Sequence, residues 1–316
     1  MANSTEKIYY EILEQYLFPF ALLVILVLAG LVIQSFIVTV NIIDWMKGRL
    51  ITGADKIITS IGISRIFFHA AFLLNLFLFA YLSNITIIFS IFIFCALESL
   101  NFSNIWLSAL LSIFFYFKIS TSHNVFILRL KVIMSKRIIY LIIATFILSL
   151  GYTSMNGLLI FHIFFRNSTQ AYTSVIMQQI EMLDYFKSLW NLLPLLMSFI
   201  TSVLLIILLG LHTSRLNNHG HADTYCRTIT FTVFSFLACG LYTILNVVHV
   251  YMRLLGVFWW YFITNVFPVL HSILLIYVAT KLRNQFFRIV HCGTDYLFNR
   301  NTPGSRSRGP EQETPL

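Results

Sequence analysis

The chain has 316 residues, of which 58% are hydrophobic and 10% are charged, and its formal net charge at pH 7 is +9. Because soluble domains normally contain about 25% charged residues, this composition excludes a water-soluble globular protein and indicates an integral membrane protein. The cysteine spacings fit neither a zinc site nor a disulfide framework; the four cysteines are Cys95, Cys226, Cys239 and Cys292.

Seven apolar segments follow one another along the chain. Each is long enough to cross a bilayer as a helix, which takes about 20 apolar residues; the segments are 17–40, 56–81, 86–117, 138–162, 186–211, 226–250 and 257–280. Residues 1–16 are polar and acidic, so we expect an extracellular N-terminus there and no cleavable signal peptide. The sequence predicts an all-α membrane protein, a seven-transmembrane helix bundle over 17–281.

The chain changes character after the seventh segment. Residues 282–292 mix basic and bulky apolar side chains, which predicts an amphipathic helix on the membrane surface. Cys292 at its end is a candidate for palmitoylation. Residues 293–316 are polar and contain proline and glycine, which predicts a disordered cytoplasmic tail.

The basic residues lie mostly on one side of this bundle. Sixteen of the 21 lysines and arginines fall in the segments 41–56, 118–137, 212–227 and 281–316. Because cytoplasmic loops are enriched in these residues, we expect a multi-pass plasma-membrane protein with an outer N-terminus and a cytoplasmic C-terminus. Topology therefore explains the positive charge, and nucleic acid is not an expected partner.

Three N-glycosylation sequons agree with this orientation. They begin at Asn3, Asn84 and Asn167, all on the predicted outer side. A fourth sequon begins at Asn101 inside the third segment, where we expect no glycosylation.

Signatures of catalysis and transport are missing from the sequence. It contains no His-Glu-x-x-His, no Ser/His/Asp set and no phosphate loop, so we expect neither an enzyme nor a cofactor or metal site. A transporter normally carries several ionisable residues within its spans, whereas in this sequence two charged residues lie away from the ends of the predicted spans, Arg65 and Glu98. A seven-helix receptor is the leading class, and a small-molecule transporter or channel is the alternative from another class.

The helix-end motifs are not those of rhodopsin-like receptors. The third segment ends in FFYFKIS (114–120) rather than an Asp/Glu-Arg-Tyr box, and the seventh lacks Asn-Pro-x-x-Tyr. Five features in order instead resemble the type-2 (bitter) taste receptors: FIVTVNIIDWMKGR (36–49), ISRI (63–66), LSIFFYFKIS (111–120), Pro194 with His212 eighteen residues later, and HSILLIYVATKL (271–282).

The resemblance covers residues 30–290 and includes departures typical of a distant member. Gln34 stands where the family often has asparagine, and Val278 and Ala279 replace Gly-Asn. The resemblance implies a G-protein-coupled chemoreceptor that detects small bitter or toxic molecules between the third, fifth, sixth and seventh spans. Its implied partners are a gustducin-like heterotrimeric G protein and membrane lipid.

A vomeronasal type-1 pheromone receptor is the related alternative. That family usually has a cysteine in the second outer loop, and the corresponding stretch here, about 163–185, has none.

Asn101 is the leading candidate for ligand binding. Aligned from Trp106, it coincides with the asparagine that the resemblance places in the family's ligand pocket. Glu98 lies three residues earlier and shares that helix face. It either pairs with a cationic ligand or with Lys187, or it is simply a residue at the edge of a loop.

Three further side chains are placed in the pocket by analogy with the family, together with Lys187. Trp190 precedes Pro194 by one turn, and Tyr242 and Tyr261 lie on the sixth and seventh spans. In a chain with 16% aromatic residues each could equally be a packing residue.

Arg65 is a charge about nine residues from the nearer end of its span. It either snorkels or, as we favour, forms a polar hub with groups such as Gln34 and Ser272. The resemblance implies that Arg65, His271 and Ser272 act in the activation switch; His271 and Ser272 could also be ordinary satisfied core residues.

Four basic side chains are candidates for the G-protein face. Lys118 and His212 close the cytoplasmic ends of the third and fifth spans, where they are either interface anchors or, as the resemblance implies, border the G-protein cleft. Arg129 on the second inner loop is placed to meet anionic lipid or the G protein, and Lys281 ends the last span.

Overall fold

The computed structural model describes residues 17–81, 87–120, 125–166, 190–208, 210, 219–252 and 257–300. Within these ranges the chain forms nine helices and no strand. The helices are α1 Phe18–Met46, α2 Gly53–Tyr81, α3 Ile87–Ile119, α4 Val125–Lys136, α5 Ile138–Arg166, α6 Trp190–Leu208, α7 His219–Met252, α8 Val257–Val278 and α9 Thr280–Arg300.

Six of these helices, α1, α2, α3, α5, α6 and α8, are long and apolar enough to cross a membrane. Helix α7 has 34 residues and contains the shorter apolar stretch Thr230–Leu245. At 1.5 Å per residue, its length exceeds the roughly 30 Å hydrocarbon core of a bilayer. These seven helices follow the order of the seven apolar segments, and the predicted all-α, seven-helix fold is confirmed.

Several helices extend beyond the apolar segments from which they were predicted. Helix α1 continues to Met46, past the segment end at 40, and α9 continues to Arg300, past the expected end at 292. Helix α4 lies between α3 and α5, in a segment for which the sequence predicted no helix. Hydropathy indicates which residues lie in the hydrocarbon core of the bilayer. The backbone hydrogen bonds of a helix can continue beyond that core into the polar interface, so the helix ends later than the apolar segment.

The bundle packs through a few main helix pairs. Helix α1 packs on α2 and α8, α3 packs on α2 and α5, and α7 packs on α8. The inner half of the core contains residues from α1, α2, α3, α5, α7, α8 and α9; among them are Ile37, Ile57, Leu107, Leu111, Ile138, Phe231, Leu275 and Leu282. Helices α3 and α5 approach closely at Gly157, where a Cβ atom would lie 2.4 Å from Cys95 Sγ.

Hydroxyl side chains inside the spans bond mainly to their own helices. On α3 and α5 they donate to carbonyl groups three or four residues earlier; the donors are Ser103, Ser108, Ser112, Thr145, Ser149 and Thr153. A polar hydroxyl can therefore be buried at membrane depth without losing its hydrogen bond.

Candidate functional site

A hydrogen bond joins α3 to α7 in the outer part of the bundle. Asn101 Nδ2 donates to the hydroxyl oxygen of Tyr242 over 2.7 Å. Tyr242 is buried and stacks on Phe267 of α8, with ring centroids 5.2 Å apart. Ile105, one turn along α3, packs in the same cluster, together with Leu195 of α6. Two residues that the sequence analysis nominated separately are thus in contact where α3, α6, α7 and α8 converge.

Trp190 belongs to an aromatic stack that crosses three helices. Its ring is parallel to that of Tyr152 on α5 to within 5°, with centroids 5.6 Å apart. Tyr152 stacks in turn on Phe102 of α3 at 5.2 Å, and Phe102 meets Trp106 edge to face. The sequence analysis did not identify Tyr152, because no spacing signal connects α5 to Trp190.

Tyr261 lies on the side of the bundle formed by α1 and α2. It meets Phe72 of α2 edge to face at 5.3 Å and packs in a cluster that includes Leu97 of α3. Glu98, the next residue on α3, is partly buried. Lys187, the other charged pocket candidate, lies outside the described residues.

Arg65 is the centre of a polar network between α1, α2 and α8. Its side chain is completely buried, and Nη1 donates to the carbonyl oxygen of Pro268 over 3.0 Å and to the hydroxyl of Ser272. Gln34 Nε2 also donates to Ser272 Oγ, which donates to the Pro268 carbonyl over 2.9 Å. These contacts exclude the snorkelling alternative for Arg65, and Gln34 reaches it through Ser272.

His271 connects the same region of α8 to α7. Its buried ring meets Phe231 of α7 edge to face at 5.6 Å and lies 5.9 Å from the ring of Phe267. Phe267 also stacks on Tyr242. A continuous chain of ring contacts therefore leads from the Asn101–Tyr242 bond to His271.

Lys281 ties three helices together at the inner end. Its Nζ lies 2.9 Å from a carboxylate oxygen of Asp44 and donates to Asn41 Oδ1 over 2.9 Å, both on α1. Asp55 of α2 is 3.9 Å away, and Arg49 pairs with Asp44 at 3.0 Å. This candidate for the G-protein face is thus engaged within the helix bundle, with a third of its side chain exposed.

The other inner-face candidates differ in how far the structure describes them. Lys118 in the last turn of α3 and Arg129 on α4 are exposed. Lys131 of α4 donates to the carbonyl oxygen of Ser120 over 3.0 Å and so holds α4 against the end of α3. His212 lies outside the described residues, as do the three sequon asparagines, Asn3, Asn84 and Asn167.

Comparison with known proteins agrees with the resemblance. The family model described as taste receptor protein (TAS2R) matches residues 12–294. Taste receptor type 2 member 50 of Homo sapiens is 27% identical over 306 residues, which cover 87% of this chain and 97% of that protein. Taste receptor type 2 member 13 of Gorilla gorilla gorilla is 28% identical over 285 residues, 81% of this chain and 90% of its own length.

Proposed function

This chain belongs to the TAS2R family of taste receptors, and from that premise we propose that it detects small bitter or toxic molecules. It signals by activating a gustducin-like heterotrimeric G protein. The family match extends over residues 12–294, so neither a vomeronasal pheromone receptor nor a transporter is favoured. The hydrogen bond between Asn101 and Tyr242 is the observation that best supports the location of the pocket.

The proposed pocket lies where α3, α6, α7 and α8 converge. Its polar groups are few and its walls are aromatic and apolar, as is usual for sites that bind small molecules. Asn101 and Tyr242 offer an amide and a hydroxyl, and Glu98, Lys187 and Trp190 are proposed to line the same pocket. Tyr261, which packs on Phe72 of α2, is proposed to line its side toward α1 and α2. Such a surface suits broad recognition of apolar or amphipathic compounds.

Ligand binding is proposed to shift a two-state bundle. A compound that inserts between α3 and α7 replaces the bond from Asn101 to Tyr242 and thereby favours one arrangement over the other. The ring contacts from Tyr242 through Phe267 pass the change to His271. Arg65, His271 and Ser272 form the proposed switch.

The proposed inner surface faces the G protein. Lys118, Arg129, His212 and Lys281 lie on it in a receptor whose N-terminus is outside the plasma membrane and whose C-terminus is cytoplasmic. Glycosylation at Asn3, Asn84 and Asn167 belongs to the same orientation, and so does an amphipathic segment on the inner membrane surface at 282–292. Residues 1–16 and 293–316 are the proposed extracellular and cytoplasmic tails around the receptor domain 17–281.

Intracellular calcium in cells that also express a promiscuous G-protein α subunit tests this function. We expect concentration-dependent responses to some members of a bitter-compound panel, weakened by Asn101→Ala and by Tyr242→Phe. The second change removes one hydroxyl group and leaves the ring. Tyr140→Phe removes a hydroxyl from an exposed tyrosine on α5 and is the matched control.

Surface expression is measured for every variant in this experiment. Silence across a broad panel at normal surface expression contradicts the proposed function. Normal responses from both pocket variants contradict the location of the pocket and leave the function standing.

A further inference from the structure

Several buried polar atoms on α1, α2 and α3, two of them on Arg65, have no hydrogen-bond partner within the described structure. They occupy positions that are almost completely buried in the described structure. They are Nε and Nη2 of Arg65, both amide atoms of Asn104, Oε1 of Gln34 and Oγ of Ser64. At membrane depth no bulk water reaches such groups, and each one left unsatisfied is costly.

Helix register puts Asn104 of α3 level with Arg65 of α2. Two turns from Asn104 on α3 lie Leu97 and Leu111, and two turns from Arg65 on α2 lie Phe72 and Ile58. Leu97 belongs to the same hydrophobic cluster as Phe72, and Leu111 to the same cluster as Ile58. Helices α2 and α3 pack against each other along the bundle. Asn104, midway between Leu97 and Leu111, is therefore at the same level as Arg65, midway between Ile58 and Phe72. Seven residues are two helical turns, so Asn104 faces the side of α3 on which Leu97 and Leu111 lie.

His69 and Asn265 close the cluster from the other sides. His69 lies one turn beyond Arg65 on α2 and presses against α1, where a Cβ atom at Gly30 would be 2.6 Å from its Nε2. The side chain of Asn265 on α8 forms a hydrogen bond with the His69 ring. Four helices therefore contribute polar groups to one enclosed region.

The charge of Arg65 is not balanced by any acidic side chain among the described residues. A guanidinium group keeps its charge at neutral pH, and a buried charge is normally paired. The bonds that Arg65 makes go to a neutral carbonyl and a neutral hydroxyl. The described carboxylates that form ion pairs, Asp44 and Asp55, lie at the inner ends of α1 and α2 and pair with other cations.

We propose that this cluster binds a small monovalent anion of the halide class, such as chloride. Nε and Nη2 of Arg65 supply the positive charge and two donors. The Asn104 amide supplies a neutral donor, and the His69 ring, which bonds to Asn265, forms a wall of the site. Water would satisfy these donors but would leave the positive charge of Arg65 uncompensated. A halide ion satisfies the donors and also compensates the charge. This site lies one helical turn from Asn101 on α3 and includes Arg65 of the proposed switch, but the binding of an anion there does not depend on the proposed function.

The test uses purified, ligand-free, full-length receptor and follows thermal unfolding by tryptophan fluorescence. Sodium chloride replaces sodium gluconate stepwise at constant ionic strength, because gluconate is too large for an enclosed site. We expect a saturable rise in the unfolding temperature of about 3 °C at chloride concentrations well above the dissociation constant.

Two variants and a matched control localise the effect. Asn104→Leu removes a donor with little change in volume and should abolish the chloride-dependent rise. His69→Phe replaces a polar wall of the site at similar volume and should weaken that rise. Asn191→Leu makes the same amide-to-alkyl change at a buried position on α6 and should keep it. Should neither hub variant fold, anomalous scattering from bromide in wild-type crystals replaces them, and we expect the peak beside Arg65.

Three results overturn the proposal. Equal unfolding temperatures of the wild type in chloride and in gluconate mean that the cluster holds water alone. A chloride-dependent rise that survives both hub variants means that the anion binds elsewhere. A bromide peak that does not adjoin Arg65 also means that the anion binds elsewhere. The absence of any bromide peak means that no halide is bound.

Discussion

Ser272 uses every hydrogen-bonding position of its hydroxyl group. A serine hydroxyl donates once and accepts twice; here it donates to the Pro268 carbonyl and accepts from Arg65 and Gln34. One small side chain therefore connects α1 and α2 to α8. Pro268 lacks a backbone N–H and so breaks the regular hydrogen-bond ladder of α8 one turn before this junction.

At the residue scale, Ser272→Ala should destabilise the receptor more than an ordinary serine-to-alanine change. It removes the acceptor for two buried donors, one of them charged, at an expected cost of about 1–3 kcal/mol. Ser103→Ala is the matched control, because that buried hydroxyl bonds to its own helix at Ser99. Thermal unfolding of both variants is the measurement, and equal losses of stability would contradict a bridging role for Ser272.

At the element scale, Lys281 holds the start of α9 against α1 and α2. Asp44 and Asn41 bind its ammonium group directly, and Asp55, which also caps α2 through a reciprocal pair of bonds with Thr52, lies nearby. Phe286 of α9 adds an edge-to-face contact with Phe36 of α1. This small set of contacts sets the direction in which α9 leaves the bundle.

Lys281→Met should therefore loosen α9 while the rest of the bundle keeps its protection. We expect faster backbone hydrogen–deuterium exchange along α9, because the ion pair and the hydrogen bond to α1 are lost together. Arg288→Met removes a cation from an exposed position on the same helix and should leave exchange unchanged. Unchanged exchange in Lys281→Met, combined with lost G-protein coupling, would instead make Lys281 a direct G-protein contact.

At the scale of the whole molecule, the distribution of charge is the basis of the expected orientation in the membrane. Most lysines and arginines lie in the segments 41–56, 118–137, 212–227 and 281–316, which are expected to face the cytoplasm. Some also stabilise the fold there, as Lys281 and Lys131 do. One population of residues thus serves both topology and packing.

That orientation predicts which asparagines carry glycans. In mammalian cells, Asn→Gln changes at positions 3, 84 and 167 should together abolish the shift in gel mobility that an N-glycosidase causes in the wild type. Asn101→Gln should leave the shift unchanged, since its side chain bonds to Tyr242 within the bundle. A wild-type receptor without any glycosidase-sensitive shift would count against the orientation.

The amino-acid sequence by itself determined the class of protein, the seven spans, the expected orientation and the family. These depend on local properties, since a bilayer selects apolar length segment by segment and inner loops select charge. The depth of Arg65 within its span also predicted a buried polar hub, because an arginine that far from the ends of a span needs hydrogen-bond partners.

Only the tertiary structure decided which residues meet. Asn101 and Tyr242 are 141 positions apart, and Gln34 and Ser272 are 238 apart. Contacts of this kind depend on how each helix is rotated and how deep it sits, and the sequence of one helix does not encode the rotation of its neighbour. For the same reason, the contact of His69 with Gly30 of α1 and its bond to Asn265 of α8 arise only when these helices pack together.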